Sequence, residues 1–381
     1  MKIRIAVHGR FHAFELARSL QRRGLLECLQ TTYPRFAARR VVGKDVPLLS
    51  VPYLEIKRRF GARLGFSRAL DVSIAKGFAE AVARSLSTSD ADVLVGWSSA
   101  TLEAIDIAHE KGMHVVIERG STHIQHQTEV LSKVRRDLGL RGEITPPTII
   151  EREIAEYDAA DAIVVPSEIS RKTFIERNVA ANKVFVNQLG VDTAQFAPPA
   201  QPRKSDVPVI LFVGALSARK GTATLLEAFA KLSGRAELMC VGPVDAEFQK
   251  ILTKLPPDNV TLMGRVSRSD IHDAYKNADI FCLPSHEEGF GMVVLEAMAS
   301  GLPVVLSDQV GAADLIEPGV DGLIFKAGDV EALSTAMASL TDDRDRRGQM
   351  GDAAAKKART SQTWDGYTDR AVEIYEKIGV T

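Results

Sequence analysis

The sequence has few cysteines, few aromatic residues and no long hydrophobic run. Among its 381 residues there are three cysteines, Cys28, Cys240 and Cys282, and aromatic side chains make up 6%. A set of cysteines that is odd in number and widely spaced argues against a disulfide framework and a zinc cluster, and it fits a reducing compartment. No apolar segment reaches the ~18–20 residues that a membrane-spanning helix needs.

The amino-terminal segment also lacks the features of a secretory signal. Arg4 and Arg10 interrupt it before an apolar core of the usual length can form, and no small-residue cleavage site follows. Together with the cysteine content, this predicts a cytoplasmic protein.

The remaining composition is that of an ordinary globular protein. Hydrophobic residues make up 45% and charged residues 25% of the chain, which excludes disorder, collagen and coiled coil. At roughly 150 residues per domain, the length predicts two or three domains.

The net charge of -1 hides an asymmetry between the two halves. Residues 1–190 contain 28 Lys and Arg against 22 Asp and Glu, whereas the remainder contains 20 against 27. Within the first half, residues 35–68 hold nine basic residues and only two acidic ones. A charge split of this kind indicates two domains with different partners.

Short β-branched runs alternate with longer helical patterns along the chain, which predicts parallel sheets covered by helices. The pattern restarts after a proline-rich linker at 191–202. We therefore predict an α/β protein with two doubly wound, Rossmann-like domains, 1–190 and 203–360, facing a central cleft. A final helix at 361–381 is predicted to cross back to the first domain. Such sheets bind ligands at the carboxyl ends of their strands, so the cleft suits an enzyme with two substrates.

The densest chemical motif is SHEEGFGMVVLEAMASG at 285–301, directly after a predicted strand. Gly289 and Gly291 allow a tight turn into a helix, and the exposed N–H groups at a helix start form an anion site. Glu288 precedes this turn, and Glu296 follows eight residues later, about two helical turns along nearly the same face. Glu296 is flanked by apolar residues, where a carboxylate usually needs a partner.

A second motif, GALSARKG at 214–221, also follows a predicted strand. Adjacent Arg219 and Lys220 in a loop that opens a helix can clamp a diphosphate. The alternative is a pair of solvated surface cations. The position of the loop, facing the same cleft as the first motif, favours the functional interpretation.

These motifs resemble the retaining glycosyltransferases of family 4, which have the GT-B fold. The similarity rests on the spacing of Glu288 and Glu296 with seven residues between them, on the Gly-Phe-Gly insert, and on the ASGLPVV segment that follows. It extends over most of residues 184–340. The resemblance implies the GT-B fold and an enzyme that uses a nucleotide diphosphate sugar as donor.

The resemblance also implies roles for individual residues. Glu288 would contact the donor sugar hydroxyls, and Arg219 and Lys220 would neutralise the diphosphate leaving group. Glu296 would hold the ribose hydroxyls, and the turn at Arg265 and Val266 would meet the base. Backbone N–H groups that would receive the phosphates or the sugar belong to Phe290, Gly291, Met292 and Val293. The chain departs from many relatives at Ala215, where they have an arginine, so Arg219 must supply the guanidinium.

The first half resembles the family less closely. Its first loop, HGRFH at 8–12, has a single glycine where relatives often have two. Gly9 still allows close approach of a substrate backbone or phosphate. Arg10 and His12 either hold a polar acceptor or serve as a loop arginine and a helix-capping histidine, and the sequence leaves both interpretations open.

Family members place a histidine near the reacting sugar carbon in the loop after the HVVI strand, and here His123 is predicted to fill that role. His123 and His126 are three residues apart, but a pair without a third ligand is weak evidence for zinc. The GT-B architecture does not depend on a bound metal, because Arg, Lys and a helix start stabilise the charge. We therefore predict no metal site and no cofactor besides the donor substrate.

The basic stretch at 35–68 has apolar residues mixed in. It is either a solvated loop or a surface that contacts anionic lipid headgroups. Several family members act on lipid-linked acceptors at the cytoplasmic membrane face, which favours the membrane interpretation. Nucleic acid binding is disfavoured, because the stretch lacks a recognised motif and interleaved stacking aromatics and the pI is near 6.7.

The resemblance predicts a retaining transferase that moves a hexosyl group from a UDP- or GDP-sugar to a hydroxyl acceptor, a glycan or lipid-linked molecule of bacterial surface polysaccharide or glycolipid assembly. Alternatives with the same fold are a nucleotide-sugar epimerase, a sugar phosphorylase or a non-catalytic nucleotide-sugar-binding subunit. A dinucleotide-dependent dehydrogenase would need a Gly-x-Gly-x-x-Gly turn, which neither loop contains.

Overall fold

A computed structural model describes residues 1–63, 67–141, 144–200, 203, 205–252 and 259–379. Linker residues 201 and 202, residues 64–66 of the basic stretch and residues 380 and 381 at the predicted final helix lie outside the described residues. The side chains of residues 62–69, among them Arg63 and Arg68, lie outside them as well.

The first domain is a parallel sheet of seven described strands with helices on both faces. The strands are β1 (Ile3–Val7), β2 (Leu26–Thr31), β3 (Leu48–Ser50), β4 (Val93–Trp97), β5 (His114–Glu118), β6 (Ala162–Val165) and β7 (Val184–Val186). The helices are α1 (Ala13–Arg22), α2 (Arg35–Val42), α3 (Pro52–Arg63), α4 (Ser67–Leu86), α5 (Leu102–Glu110), α6 (Ile124–Asp137), α7 (Pro147–Ala159) and α8 (Glu168–Ile175), with a 3-10 turn at Ala181–Lys183.

The second domain repeats this plan with six described parallel strands. The strands are β8 (Val209–Val213), β9 (Glu237–Val241), β10 (Val260–Gly264), β11 (Ile280–Leu283), β12 (Val304–Ser307) and β13 (Gly322–Phe325). The helices are α9 (Thr222–Ala230), α10 (Gln249–Leu252), α11 (Arg268–Lys276), α12 (Met292–Ala299), α13 (Val330–Thr341), α14 (Arg344–Ser361) and α15 (Trp364–Lys377), with a 3-10 helix at Gly311–Leu315.

The strand order places a topological switch point in each sheet. The first sheet runs β3-β2-β1-β4-β5-β6-β7, and the second runs β10-β9-β8-β11-β12-β13. The chain leaves β1 and β4, or β8 and β11, in opposite directions across the sheet, which opens a crevice at their carboxyl ends. All residues of β1, β4, β8 and β11 are buried, as their nearly continuous apolar sequences require in a sheet covered on both faces.

The chain passes between the domains twice, at neighbouring positions. Val191 N–H donates to the carbonyl of Gln362 at 2.9 Å. A Cβ on Gly190 would come within 2.5 Å of the backbone of Thr363 and Trp364, so only glycine allows the two crossings to lie this close. The first sheet ends at Val186 and the second begins at Val209. The domain boundaries predicted at 190 and 203 fall between these two residues and stay predictions.

Helix α15 packs against α1 of the first domain. Ser19 Oγ donates to Asp365 at 3.0 Å, and the Tyr367 hydroxyl donates to Glu118 at 2.9 Å. Tyr367 and Tyr375 are fully buried, so apolar packing holds this helix in place. In the part of the chain that the structure describes, no helix is long and apolar enough to cross a membrane.

Candidate functional site

The loops that follow β1, β4, β5, β8 and β11 meet between the domains and enclose a cavity of about 520 Å³. Because parallel strands all point their carboxyl ends to one edge, the two switch points face each other across this space. From the first domain the lining residues are His8, Phe11, His12, Trp97, Ser98, Ser99, Arg119, Gly120, Ser121, Gln127 and Leu189. From the second domain they are Arg219, Lys220, Glu288, Phe290, Gly291, Met292 and Val293.

The start of α12 lies open to this cavity. Its N-cap, Gly291, has a φ of +90° and makes no side-chain cap hydrogen bond. The first N–H groups of a helix have no partner within the helix, so those of Met292 and Val293 are available to an anion. Phe290 is 2% exposed, which fixes the turn in the core. The sequence predicted this anion site, and the structure places its residues in the cavity wall.

The two cations of the loop after β8 face the first carboxylate of the motif. Lys220 Nζ is ion-paired with Glu288, and Arg219 Nη2 lies 3.5 Å from the same carboxylate oxygen. The Glu288 and Lys220 side chains are only 13% and 15% exposed. Burial would lower the pKa of Arg219, but the charges of Glu288 and Glu287 raise it above its ordinary value. Three of the four predicted catalytic residues are therefore in contact.

Glu287, which the sequence interpretation did not single out, accepts hydrogen bonds from side chains of both domains. It is 2% exposed and accepts from Ser121 Oγ at 2.5 Å, Thr122 Oγ1 at 2.8 Å, Gln127 Nε2 at 3.0 Å and Arg219 Nε at 3.0 Å. Burial alone would raise its pKa, but the Arg219 charge and these hydrogen bonds lower the pKa to about 2. Its place beside Glu288 was visible in the sequence, but its partners in the other domain were not.

Glu296 lies one turn into α12, at the edge of a second cavity of about 580 Å³. This cavity runs along the side where the chain crosses between the domains and shares Phe11, His12 and Met292 with the first. The buried hydroxyl of Tyr275 donates to Glu296 Oε2 at 2.8 Å. Glu296 thus has the partner that its apolar helix requires, and its carboxylate also reaches a space next to the anion site.

Arg265 and Val266 line a third cavity, of about 480 Å³, at the carboxyl ends of β8, β9 and β10. Gly214, Gly242 and Pro243 line the same cavity. The predicted base-binding turn therefore lies in the second domain, in the same sheet edge as the anion site. Its role in binding a base stays a prediction.

The loop after β1 is held in an unusual conformation. Gly9 has a φ of +123° and its carbonyl accepts from Thr31 Oγ1 at 2.6 Å. Phe11 has a φ of +41°, which is strained for a phenylalanine, and its side chain is 59% exposed between the first and second cavities. The sequence selected Gly9 for close approach of a ligand; the structure places Phe11, rather than Gly9, in the cavity wall.

The first-domain wall is aromatic and hydroxyl-bearing. Trp97 is 4% exposed, and its indole N–H has no hydrogen-bond partner among the described residues. Ser98 lies next to it in the wall. Arg119 is the wall's buried cation, but Glu153 holds its guanidinium at 3.0 Å and Gln127 accepts from it at 2.9 Å. The sequence interpretation missed Trp97 and Ser98.

His12 lines the first and second cavities and is buried. Its Nε2 lies 3.4 Å from Glu118, and its ring packs against Trp97 and Tyr367 at centroid distances of 5.1 and 5.6 Å. His12 also precedes α1 without capping it through its side chain. His12 is thus the N-cap residue of α1, but its ring lines the two cavities and makes no capping hydrogen bond, and its contact with an acceptor stays a prediction. Arg10 lines the second cavity.

His123, the fourth predicted catalytic residue, does not line the cavity of Glu288. Its Nδ1 accepts from the N–H of Gln125 at 3.2 Å, so it is the N-cap of α6. The ring is 3% exposed and packs against Tyr157 and Phe174 at 5.2 and 4.9 Å, and burial lowers its pKa to about 4. The structure therefore brings His123 into an aromatic cluster behind the cavity wall, apart from the other three residues.

The described residues contain no group of three or more His, Cys, Asp or Glu side chains that could hold a metal ion. His126, the possible partner of His123, is half-buried on α6, and burial lowers its pKa. The predicted absence of a cofactor stays a prediction.

The basic stretch forms α2, β3, α3 and the start of α4. Its described part exposes five large apolar side chains: Phe36 (67%), Leu49 (43%), Tyr53 (56%), Ile56 (65%) and Phe60 (64%). Arg58 and Arg59 are mostly exposed and both bind the buried carboxylate of Glu55 at 2.7 Å. We call these exposed apolar and basic residues the α2–α3 surface.

Comparison with known proteins agrees with the motifs and the fold. Residues 194–357 match the family model described as glycosyl transferases group 1. The chain is 32% identical to the sulfoquinovosyl transferase SQD2 of Arabidopsis thaliana over 215 residues, 53% of this chain and 42% of that one. It is 30% identical to the D-inositol 3-phosphate glycosyltransferase of Corynebacterium kroppenstedtii over 278 residues, 67% of this chain and 61% of that one. The chain thus spans about half the length of these relatives.

Solved structures are similar over nearly the whole chain. Sucrose-phosphate synthase from Thermosynechococcus elongatus has a TM-score of 0.76 at 18% identity and covers 99% of both chains. Anabaena Alr3699/HepE, solved in complex with UDP and glucose, has a TM-score of 0.70 at 17% identity and covers 99% of this chain and 100% of that one. These likenesses confirm the predicted two-domain GT-B fold, and the family match confirms the resemblance to family 4-like glycosyltransferases.

Proposed function

We propose that this protein transfers a hexosyl group from a nucleotide diphosphate sugar to a hydroxyl acceptor, because it has the GT-B fold and its second domain matches the group 1 glycosyl transferases. The observation that carries the proposal is the contact of Lys220 and Arg219 with Glu288 beside the open start of α12. The relatives named above are transferases, and HepE was solved with UDP and glucose.

In the proposed reaction the second domain stabilises the leaving diphosphate. Lys220, Arg219 and the N–H groups of Met292 and Val293 supply positive charge around one point of the cavity. Charge that is already in place when the phosphate departs lowers the barrier more than charge that must reorganise. Binding of the donor releases Lys220 and Arg219 from Glu288, whose carboxylate then faces the sugar hydroxyls.

We further propose that the sugar keeps its anomeric configuration. A covalent intermediate would need a free carboxylate as nucleophile. Glu288 is proposed to bind the sugar hydroxyls once the donor has drawn Lys220 and Arg219 away, and Glu287, behind the cavity wall, is engaged by four side chains. With neither carboxylate placed as a nucleophile, retention requires the diphosphate to depart from the same face on which the acceptor hydroxyl arrives.

The first domain would hold the acceptor. Phe11, which is 59% exposed, offers a flat apolar face, and the hydroxyls of Ser98 and Ser99 in the same wall offer hydrogen bonds. That combination suits a sugar or another neutral polyol, which has apolar faces and hydroxyl edges. The reacting part of the acceptor would therefore be neutral.

We also propose that the protein binds an anionic membrane surface through the α2–α3 surface. Exposed aromatic and aliphatic side chains next to arginines are the residues of helices that lie in a lipid interface. Phe36, Tyr53 and Phe60 are each more than half exposed. A lipid-linked acceptor, as in bacterial glycolipid or surface polysaccharide assembly, would then reach the cavity from the membrane.

The experiment that tests the activity begins with UDP- and GDP-sugars in a thermal-shift panel. A ligand at 100 times its Kd adds ~2.7 kcal/mol to the free energy of unfolding. The sugar that binds is then incubated with glycan and lipid-linked acceptors with and without EDTA. Proton NMR of the product should show retained configuration, and the rate should be the same in EDTA.

The alternatives give different products in the same assay. An epimerase would release free nucleotide without an acceptor, a phosphorylase would require inorganic phosphate, and a non-catalytic subunit would bind the donor without turnover. Loss of activity in EDTA, restored by one metal, would contradict the metal-independent mechanism.

A further inference from the structure

Glu287 connects the two domains at the reacting centre. Three of the side chains that donate to it, Ser121, Thr122 and Gln127, belong to the first domain, whereas Arg219 belongs to the second. The Thr122 N–H adds a fifth, longer hydrogen bond at 3.4 Å. These hydrogen bonds can form together only when the two domains lie against each other. The hydrogen bonding of the Glu287 carboxylate therefore depends on how the domains are arranged.

The residues on both sides of Glu288 are anchored in the first domain. Glu287 is bound as described, and the Gly289 carbonyl accepts from Ser167 Oγ at 2.8 Å and Ser170 Oγ at 3.3 Å. A Cβ on Gly289 would lie 2.3 Å from the carbonyl oxygen of Gly120, so no side chain fits between the domains there. The segment 287–289 is therefore a docking strip that carries Glu288 at its centre.

The same carboxylate fixes the direction of Arg219. Arg219 Nε donates to Glu287 Oε2 at 3.0 Å and to the Glu287 carbonyl at 3.1 Å. With Nε held from behind, the other guanidinium nitrogens face the cavity, where Nη2 lies 3.5 Å from Glu288. A guanidinium fixed at one edge loses little entropy when it binds a phosphate with the other.

The position of Glu287 suits it to orient Arg219 and not to take part in the transfer reaction. It is buried away from the cavity, whose lining includes its partners Ser121, Gln127 and Arg219 but not Glu287 itself. With a pKa lowered to about 2, chiefly by Arg219 against the effect of burial, it stays ionised at neutral pH. A permanently charged, fully hydrogen-bonded carboxylate neither donates nor accepts a proton during turnover.

We propose that Glu287 is a positioning residue, which couples closure of the two domains to the placement of Arg219 for the diphosphate. The inference rests on the proposed function, in which Arg219 contacts the donor. It means that the phosphate-binding geometry of the second domain is completed only when the first domain is docked against it.

A double-mutant cycle with Glu287→Gln and Arg219→Ala tests the coupling, with UDP and GDP as the probes in calorimetry. Gln keeps the size of Glu287 but removes the charge and one acceptor. We expect each single variant to weaken binding of the nucleotide by about 10-fold and the double variant to weaken it by about the same 10-fold, because Glu287 acts through Arg219. Independent effects, about 100-fold in the double variant, or unchanged affinity of Glu287→Gln, would overturn the proposal.

Small-angle X-ray scattering of the free protein tests domain closure without any ligand. We expect Glu287→Gln to have a larger radius of gyration than the wild type. The matched control is Glu247→Gln, which removes the charged partner of Arg135 in another contact between the domains. The Glu247 side chain is 40% exposed and lies outside the cavity lining. The control should match the wild type in nucleotide affinity, and a Glu287→Gln protein as compact as the wild type would refute the closure role.

Two further arrangements keep the test decisive. If circular dichroism shows that Glu287→Gln does not fold, the variant Ser121→Ala/Thr122→Val replaces it. This variant removes two first-domain donors and leaves the pair of Glu287 with Arg219 intact. It should have a larger radius of gyration than the wild type, and a variant as compact as the wild type overturns the proposal.

If the wild type binds neither UDP nor GDP, the proposed function fails, and scattering still decides whether Glu287 holds the domains together. If the wild type transfers sugar and the cycle is additive, only the role of Glu287 fails.

Discussion

The two walls of the central cavity differ in chemistry. The second-domain wall carries the ionic groups, Lys220, Arg219 and Glu288, around the uncapped start of α12. The first-domain wall presents aromatic rings and hydroxyls, and its one buried cation, Arg119, is already held by Glu153. The difference indicates a division of labour, with charge stabilisation in one domain and acceptor recognition in the other.

The largest expected effect lies in the ionic wall. Replacing Lys220 by Ala should lower kcat by ~100-fold or more, because a fixed charge at the leaving group is lost. The matched control is Lys231→Ala, which removes an exposed lysine of the same domain that pairs with Glu331. Initial rates at saturating donor measure the effect. Turnover near that of the wild type in the Lys220 variant would remove this residue from the mechanism.

The next effect concerns the nucleotide rather than the chemistry. Glu296→Ala should weaken binding of the nucleotide diphosphate by ~1.5–3 kcal/mol, roughly 10- to 150-fold, through loss of a charged acceptor. Glu331→Ala, an exposed carboxylate of the same domain, is the control. Calorimetry with equal affinities for the Glu296 variant and the wild type would contradict the ribose assignment.

A membrane contact would belong to the first domain alone. Replacing the exposed Phe60 by Ser should lower partitioning into vesicles that contain anionic lipid by about 10-fold, because a large apolar side chain no longer inserts. Val320→Ser, at an exposed apolar residue of the second domain, should leave it unchanged. Binding should also weaken as salt rises. A wild type that ignores anionic vesicles at low salt would show that the α2–α3 surface is only solvated.

A smaller effect is expected in the aromatic wall. Phe11→Ala should raise the acceptor KM by about 2- to 10-fold, the size of one lost ring contact. The affinity for the nucleotide should stay the same, since the ionic wall is untouched. If nucleotide affinity falls instead and the acceptor KM does not move, the division of labour between the walls is wrong.

The smallest effect on activity is expected at His123. Because its ring caps α6 outside the cavity, His123→Asn should keep kcat within about 3-fold, since Asn is also an N-cap residue. The replacement should instead change how the free energy of unfolding depends on pH. The folded pKa of about 4 lies below the ordinary 6.5, so protonation favours the unfolded chain as the pH falls between these values.

Denaturant unfolding across this window checks the sign. The wild type should lose up to about 1.4 kcal/mol per pH unit more than the variant between pH 6.5 and 4. His109→Asn, at an exposed histidine of the same domain, serves as the control. A drop of kcat to the level of the Lys220 variant would restore the catalytic role that the sequence suggested.

The second-domain wall was predictable because it is built from contiguous segments. Glu288, Gly291 and Met292 follow one another in one turn that opens a helix, and Arg219 and Lys220 lie in one loop after a strand. Local spacing therefore determines their relation. The first-domain wall draws Phe11, Trp97 and Arg119 from loops after β1, β4 and β5. Such residues carry no common spacing, which is why a histidine was chosen there by resemblance and Trp97 was overlooked.

The sequence by itself determined the α/β class, the two sheets and the anion site, because hydrophobic periodicity and glycine placement act over a few residues. Only the tertiary structure decided what the ionisable groups do. Glu287 and Glu288 are neighbours in sequence, yet one is buried against Ser121 of the other domain and the other faces the cavity. The reason is that burial and hydrogen bonding of a carboxylate depend on which groups the folded chain brings to it across the domain boundary.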